Sequence, residues 1–192
     1  TGTSVPNLAS SPVGANPATI QGAHTQGGSG QFGGGLVGGG PLSSNYLNTG
    51  WATTLSGSWT ISLYVDYSSA ASGTNFLFGD LNAGSLQCSL SSGTTKSLSL
   101  AGLNMNVVSV TNLPGSGALV IHFVYDSLFS HIRVYINGEL AKTVPQSAPV
   151  TFVGTGPFKV GGYFSGMVTG SIVDEFRMYD RALPSGEVAA SW

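Results

Sequence analysis

Alternation of apolar and polar residues recurs along the chain and predicts β-strands. The clearest run covers residues 58–67, where every second residue is apolar and the residues between them are Ser, Thr, Tyr or Asp. A period of two puts the apolar side chains on one face, so this run predicts a strand with one buried face. Shorter runs at 75–81, 85–90, 97–100 and 107–110 are separated by Gly, Ser and Asn, which are typical turn residues. The pattern predicts an all-β protein.

Residues 118–137 predict a β-hairpin in more detail. Two apolar runs are separated by a four-residue loop, which pairs Asp126 with His131. In that register His122 lies beside Tyr135, and the apolar residues of both strands share the opposite face. The agreement between the two strands supports the register, and an Asn-Gly pair after the second strand predicts a type I′ turn into a further strand.

The last strand pattern, residues 172–179, places a carboxylate among large apolar side chains. Strict alternation puts four residues on one face: Ile172, Asp174, Phe176 and Met178. A carboxylate removed from water is costly unless it is hydrogen-bonded, paired or coordinated, so Asp174 needs a partner. Backbone N–H groups of the 181–183 turn, an arginine and a calcium ion are three alternatives, and hard oxygen ligands are what calcium binds.

Four segments carry a resemblance to a known family. Residues 31–39 resemble an opening strand G-x-F-G-x-A-L-x-x-x-G, and residues 58–67 match a strand F-T-I-S-x-W-V. Residues 122–138 are similar to the pattern H-x-x-x-x-Y-D … x-V-Y-x-N-G, with two residues between His122 and Tyr125, and residues 172–183 read I-x-D-E-x-R-x-Y-x-R-A-L. Together these segments resemble the laminin-G-like, concanavalin-A-like lectin and glucanase domains.

The resemblance implies a two-sheet antiparallel jelly-roll β-sandwich with one short C-terminal helix. It assigns residues 31–192 to the domain and leaves residues 1–30 as an extended N-terminal arm. Pro184 replaces the serine that caps the final helix in the family, so we expect a short helix held by the packing of Val188 and Trp192.

Charge is scarce, and this scarcity excludes several functions. Charged residues make up 7% of the chain, against about 25% in an ordinary soluble domain. Only six residues are Lys or Arg, and they are not clustered, which argues against nucleic acid and anionic membranes as partners. No apolar run is long enough for membrane insertion. A surface of Ser, Thr, Asn and Gly suits exported and assembled proteins, so we expect an extracellular or surface-exposed mature product.

Catalysis is not expected. Glycosidases of the fold carry E-x-D-x-x-E on one strand, whereas the acidic residues close together here are Asp174, Glu175 and Asp180, with the wrong spacing. The three histidines do not have zinc-ligand spacing. A polysaccharide-degrading enzyme is therefore the weakest alternative. The single cysteine, Cys88, alternates with leucines and is predicted to be buried and inert.

A module that binds a glycan or a surface protein, for adhesion, is the first functional hypothesis. Its candidate face combines aromatic rings with planar hydrogen-bonding groups: Tyr64, His122, Asp126, His131, Arg133 and Tyr135. The alternative is that this face is only the solvated or inter-sheet side of a hairpin. Calcium is the one candidate cofactor, with Asp174 or the loop residues Asp80 and Asn82 as ligands, although an ordinary turn explains the loop equally well.

A structural role is the second hypothesis. The low charge and the glycine-rich N-terminal region suit a subunit or decoration of a filament, surface layer or virion. Residues 1–30 would then add as a strand to the sheet edge of a neighbouring copy, since unpaired edges accept such strands.

Overall fold

Two antiparallel β-sheets face each other and enclose one hydrophobic core. The computed structural model describes residues 2–9, 16–67, 74–80, 86–91 and 94–191. The elements are β1 (Ser4–Val5), β2 (Ala18–Gln21), β3 (Thr25–Ser29), β4 (Gly34–Val37), β5 (Tyr46–Leu55), β6 (Trp59–Tyr67), β7 (Asn75–Gly79), β8 (Gln87–Leu90), β9 (Lys96–Ala101), β10 (Val108–Leu113), β11 (Gly117–Asp126), β12 (His131–Ile136), β13 (Glu139–Pro145), β14 (Phe152–Val160), β15 (Ile172–Tyr179) and α1 (Ser185–Ala190). The predicted fold class is confirmed.

The strand order shows how the chain crosses between the sheets. The eight-stranded sheet has the order β1-β2-β5-β14-β7-β8-β9-β10, and the seven-stranded sheet has the order β13-β12-β11-β6-β15-β4-β3. Strand β6 pairs with β11 on one side and with β15 on the other, which places the clearest sequence pattern inside a sheet.

The core lies between the sheets and is rich in aromatic rings. Trp59 and Ile61 of β6 are 0% exposed, as their alternating pattern predicts. The opposite sheet contributes Phe78 and Phe158, whose ring centroids lie 5.7 Å apart in a stacked arrangement. Cys88 is also 0% exposed, which agrees with the prediction of a buried thiol.

The hairpin of β11 and β12 has the predicted register. Asp126 pairs with His131 and His122 pairs with Tyr135. The turn after β12 contains Asn137 at φ 51° and Gly138 at φ 79°, and two successive positive φ values are the mark of a type I′ turn. Local pattern and turn chemistry were sufficient here to determine which residues face the core.

Residues near the N-terminus contribute strands to both sheets. Strand β2 pairs with β5, and β3 pairs with β4. The buried His24 ties this region to the rest: its Nδ1 accepts the N–H of Gly39 at 2.9 Å, and its Nε2 donates to the carbonyl oxygen of Gly161 at 2.8 Å. The predicted domain boundary after residue 30 stays a prediction, and it falls between two strands that pair with each other.

Helix α1 covers part of the outer face of the seven-stranded sheet. Leu183 and Val188 are buried against Val124 and Tyr135. The helix begins after Pro184 without a side-chain cap, as the sequence predicted. Trp192, the other residue expected to hold the helix, lies outside the described residues. Among the described residues, no helix combines the length and the apolar character that crossing a membrane requires.

Candidate functional site

A β-bulge in β15 changes which of its side chains face outward. Asp174 pairs with Tyr64 and Arg177 pairs with Ser62, so two residues of β15 lie opposite one residue of β6. The extra residue is Glu175, which has a positive φ of 52°. One inserted residue shifts the alternation of the strand by one position.

The bulge overturns the predicted face of β15. Before it, Ile172 and Asp174 share the outer face with Tyr64, whereas after it Phe176 and Met178 pack against the core. The prediction that all four residues share one face was therefore wrong. The physical reason is the inserted residue, which a strict period of two cannot represent.

Asp174 consequently has a different environment from the one expected. It is part-exposed on the outer face and is not enclosed by large apolar side chains. The 181–183 turn does not use it either, because the hydroxyl of Thr60 donates to the carbonyl oxygen of Arg181 and accepts the N–H of Leu183. The carboxylate lies so close to Gly30 that a side chain at that position would require Asp174 to move.

The outer face of the seven-stranded sheet contains a shallow, open cleft, which we call the sheet cleft. The β3–β4 turn forms one wall, the end of α1 forms another, and strands β6, β11 and β15 form the floor. Its main lining residues are Gln31, Phe32, Ser62, Tyr64, Val120, His122, Glu175, Arg177, Tyr179 and Ser191. A shallower extension passes Tyr64 and Val120 towards Ala118 and Asn137.

Charged and hydroxyl groups of the sheet cleft come from the bulge and from β6. Arg177 forms an ion pair with Glu175, and its side chain is 50% exposed. A hydrogen bond with Tyr179, together with the charge of Glu175, raises the pKa of Arg177. Burial, with smaller contributions from the carboxylates of Asp66 and Asp174, raises the pKa of Tyr64. The cleft therefore offers a guanidinium, a carboxylate and a protonated phenol at neutral pH.

His122 lies at the end of the cleft beneath the helix. Its Nε2 donates to the Oγ of Ser191 at 2.9 Å, and that hydroxyl donates to the carbonyl oxygen of Val188 at 2.9 Å. Burial, assisted by the charge of Arg177, lowers the pKa of His122 to about 4. Its Nδ1 is buried and has no hydrogen-bond partner among the residues that the structure describes. His122 is thus a neutral wall of the cleft.

Phe32 is a site residue that sequence reasoning missed. It lies in the turn between β3 and β4 and is 71% exposed, at the rim of the cleft. In the sequence it belongs to an apolar strand motif, which predicts a core residue. Only the pairing of β3 with β4 shows that Phe32 is in a turn.

Helix α1 separates the six predicted ligand-binding residues. Tyr64 and His122 line the sheet cleft on one side. Tyr135 is buried under the helix at 3% exposure. On the other side, Arg133 pairs with Asp126 at 3.6 Å. His131, which stacks on Phe129 with ring centroids 5.7 Å apart, completes that second patch. The binding role of all six residues stays a prediction.

The calcium ligands are not assembled into one site in the part of the chain that is described. Across those ranges, no group of three His, Cys, Asp or Glu side chains could hold a metal ion. Asp80 is 1% exposed and its N–H donates to the carbonyl oxygen of Leu86 at 3.0 Å. Asn82 lies outside the described residues. Calcium binding by Asp80, Asn82 or Asp174 stays a prediction.

Comparison with known families identifies the fold family. The model of the concanavalin A-like lectin/glucanases superfamily matches residues 39–189. The chain belongs to this superfamily. The resemblance found in the sequence is therefore confirmed. A comparison with curated proteins found no match.

Solved structures of similar fold are mainly binding domains. Domain 4 of AbnA, a GH43 extracellular arabinanase from Geobacillus stearothermophilus in complex with arabinotriose, is 19% identical with a TM-score of 0.66, covering 91% of this chain and 87% of that one. The CBM40 of a Ruminococcus gnavus IT-sialidase, bound to α2,3-sialyllactose, is 16% identical with a TM-score of 0.54, covering 79% and 95%. At these identities the likeness shows the fold alone.

A toxin domain gives a third comparison. The ligand-binding domain of botulinum neurotoxin serotype D, in complex with N-acetylneuraminic acid, is 12% identical with a TM-score of 0.65. The match covers 98% of this chain and 49% of that domain, so the chain spans about half the length of this relative.

Proposed function

We propose that this protein is a non-catalytic, surface-exposed module that binds glycans through the sheet cleft. The observation that carries the proposal is the bulge at Glu175, which places Glu175 and Arg177 beside Tyr64 in a cleft with Phe32 at its rim. Ligand sites typically combine an apolar surface with a few well-placed polar groups. A sugar presents an apolar ring face and a rim of hydroxyls, which matches this combination.

The groups of the cleft have distinct roles in this proposal. The exposed ring of Phe32 stacks on the apolar face of a sugar. Arg177 donates several hydrogen bonds in a fixed plane, and Glu175 accepts hydroxyl protons while holding the guanidinium in place. Complexes of similar folds with arabinotriose, N-acetylneuraminic acid and sialyllactose support a glycan as the ligand class.

The single carboxylate among the described lining residues of the cleft favours binding over hydrolysis. Among the described lining residues, Glu175 alone carries a carboxylate, and it is paired with Arg177. Glycoside hydrolysis ordinarily uses two carboxyl groups on opposite sides of the scissile bond. The proposed module therefore holds its ligand without cleaving it, and adhesion to a glycan-bearing surface is the role that fits.

A glycan array with matched phenylalanine variants tests the proposal. Wild-type protein is expected to bind a defined group of glycans, and Phe32→Ala is expected to weaken that binding about tenfold through loss of the stacking surface. Phe129→Ala is the control, because Phe129 is also exposed, at 66%, but lies in the hairpin loop beyond the helix. Arrays with calcium and with chelator test the predicted metal in the same experiment.

Two results would contradict the proposal. If Phe129→Ala abolishes binding while Phe32→Ala does not, the site is the patch of Asp126, His131 and Arg133. A blank array with and without calcium would contradict glycan binding by the sheet cleft. The structural hypothesis would then lead, and light scattering of the native particle would test it, since a stable monomer at high concentration contradicts self-assembly.

A further inference from the structure

An aromatic cluster lies on the outer face of the eight-stranded sheet, on the opposite side of the sandwich from the sheet cleft. Phe164 is 61% exposed. Its ring packs on Tyr163 with centroids 4.3 Å apart and edge-on against Phe76 at 5.8 Å. Two ring contacts fix the orientation of an exposed phenylalanine, so Phe164 offers a flat apolar surface to solvent.

The loop that carries Phe164 is held tightly in place. Gly162 and Gly166 pair with each other, and the N–H of Tyr163 donates to the carbonyl oxygen of Ser165 at 3.1 Å. A side chain at Gly162 or at Gly166 would collide with Asn45. The close approach of this loop to Asn45 therefore presents the cluster on a rigid base.

Lys159 lies beside this cluster on the same face. It pairs with Gly79, and the ring of Tyr163 rests on Gly79. Its neighbours in β14, Phe158 and Val160, are core residues, so the Lys159 side chain points outward. The Nζ lies 4.2 Å from the ring centroid of Tyr46, a cation–π contact.

Within the described part of the chain, the charge of Lys159 has no carboxylate partner. The three arginines, Arg133, Arg177 and Arg181, each form an ion pair, whereas no carboxylate among the described residues pairs with Lys159. The residue is only 7% exposed, and burial lowers its pKa. A partly desolvated cation without a counter-charge gains more from an incoming anion than a solvated one does.

We propose that Phe164 and Lys159 form a second binding site, which takes an acidic sugar. The sugar ring stacks on the exposed face of Phe164, and its carboxylate accepts a charge-assisted hydrogen bond from Lys159 above Tyr46. The ammonium group selects a ligand that carries a negative charge, and the fixed aromatic rings select a ligand that carries a sugar ring. Because the site is on the opposite sheet, it is independent of the sheet cleft.

Titration calorimetry with a matched pair of probes tests the inference. Trigalacturonate and its neutral methyl ester have the same sugar rings, and the ester replaces each carboxylate charge with a methyl ester group. Wild-type protein is expected to bind the acid at least about tenfold more tightly. Added salt is expected to weaken the binding of the acid but not the binding of the ester. Lys159→Met is expected to remove the difference between the probes, whereas Lys159→Arg keeps the charge and retains it.

Variants on the two faces separate this inference from the proposed function. Phe164→Ala is expected to weaken the binding of both probes about fivefold, while Phe129→Ala, at an exposed ring outside both sites, is expected to leave the binding of both unchanged. If Phe32→Ala or an Arg177 variant abolishes trigalacturonate binding and Lys159→Met does not, the second site is refuted and the cleft stands. If trigalacturonate binding is lost only in the Lys159 and Phe164 variants, the second site is supported whatever the glycan array shows.

Amide shifts of the wild-type protein give a test that needs no variant. Trigalacturonate is expected to shift the signals of Gly162, Ser165 and Gly79. Shifts confined to Gln31 and Glu175, or no shifts with trigalacturonate at about 5 mM, the weak end of specific recognition, would overturn the inference.

Discussion

His24 and His122 are buried imidazoles that stay neutral for different reasons: the Nδ1 of His24 accepts a hydrogen bond, whereas burial disfavours the charged ring of His122. The Nδ1 of His24 accepts the N–H of Gly39, so its proton is on Nε2, facing the carbonyl oxygen of Gly161. In His122 the proton is also on Nε2, facing Ser191. Burial lowers the pKa of His24, and it lowers that of His122 to about 4. Both residues therefore make the stability of the fold depend on pH.

We expect the free energy of unfolding to fall as pH decreases from about 6.5 to about 4. In this window the unfolded chain binds a proton at His122 while the folded chain does not, and the lowered pKa of His24 acts in the same direction, so protonation favours unfolding. The lowering of the His122 pKa from 6.5 to about 4 corresponds to a loss of up to about 3 kcal/mol in the free energy of unfolding. Denaturant titrations across this range measure it.

His122→Gln is the matched variant for this prediction. Glutamine keeps an N–H that can reach the Ser191 hydroxyl but does not titrate. The difference in stability between wild type and variant is expected to change by about 2–3 kcal/mol across the window. A difference that stays constant with pH would show that His122 does not titrate as the structure indicates.

Residue identity alone predicted the core well but not its exceptions. Alternation in β6 correctly assigned Trp59 and Ile61 to the core, because a continuous apolar face of a strand is stable only when it is buried. Lys96 was not predicted there, yet it is 0% exposed, with its Nζ 6.0 Å from the ring centroid of Tyr67. A lysine in a strand pattern normally indicates solvent, so its burial depends on tertiary packing.

At the scale of elements, one threonine attaches helix α1 to the sheet. Thr60 is completely buried, and its hydroxyl donates to the carbonyl oxygen of Arg181 at 2.8 Å and accepts the N–H of Leu183 at 3.0 Å. These two bonds position the turn that precedes α1. The helix end in turn forms a wall of the sheet cleft through Ser191.

We expect Thr60→Val to destabilise the protein by about 2 kcal/mol. The substitution keeps the shape but leaves the buried N–H of Leu183 and the part-buried carbonyl of Arg181 without their partner, and unsatisfied buried groups cost about 1–3 kcal/mol. Thr60→Ser keeps the hydroxyl and is expected to cost less than about 1 kcal/mol. Chemical denaturation compares the two variants, and equal losses would assign the role of Thr60 to its methyl group.

Elements with local signals were predictable, whereas their irregularities were not. The β11–β12 register follows from loop length and from two apolar patterns that agree. The bulge at Glu175 follows from neither, because the same letters satisfy strict alternation equally well. The outward position of Arg177, and with it the sheet cleft, depends on that bulge. The family resemblance therefore indicated the fold, whereas the candidate site became visible only in the three-dimensional structure.

At the scale of the whole molecule, the N-terminal strands complete both sheets. Strand β2 covers the edge of β5, and β3 covers the edge of β4. Ile20 and His24 are buried, at 6% and 4% exposure. At the same margin, Gln26 donates from its Nε2 to the carbonyl oxygens of Gly2 and Ser4 at 2.8 and 2.9 Å, which joins the two sheets.

Deleting residues 1–30 is therefore expected to give an aggregating or unfolded product. The deletion uncovers the edges of β4 and β5, and exposed edges of uncharged strands promote association. Deleting residues 1–16 is the control, since it retains β2, β3 and His24 and is expected to leave a folded, less stable monomer. A folded monomer of residues 31–192 would instead support the predicted domain boundary.

The single thiol of Cys88 allows the rate at which the core opens to be measured. Its side chain is fully enclosed in β8, and burial raises its pKa well above the usual value. A thiol reagent in excess reacts only during moments when the surrounding strands have parted, so the labelling rate counts opening events of the native molecule. Because the chain has one cysteine, each labelled molecule has opened at a known place. A bound sugar that stabilises the sandwich would slow this labelling, so the reaction rate of the Cys88 thiol reports ligands on either face of the sandwich.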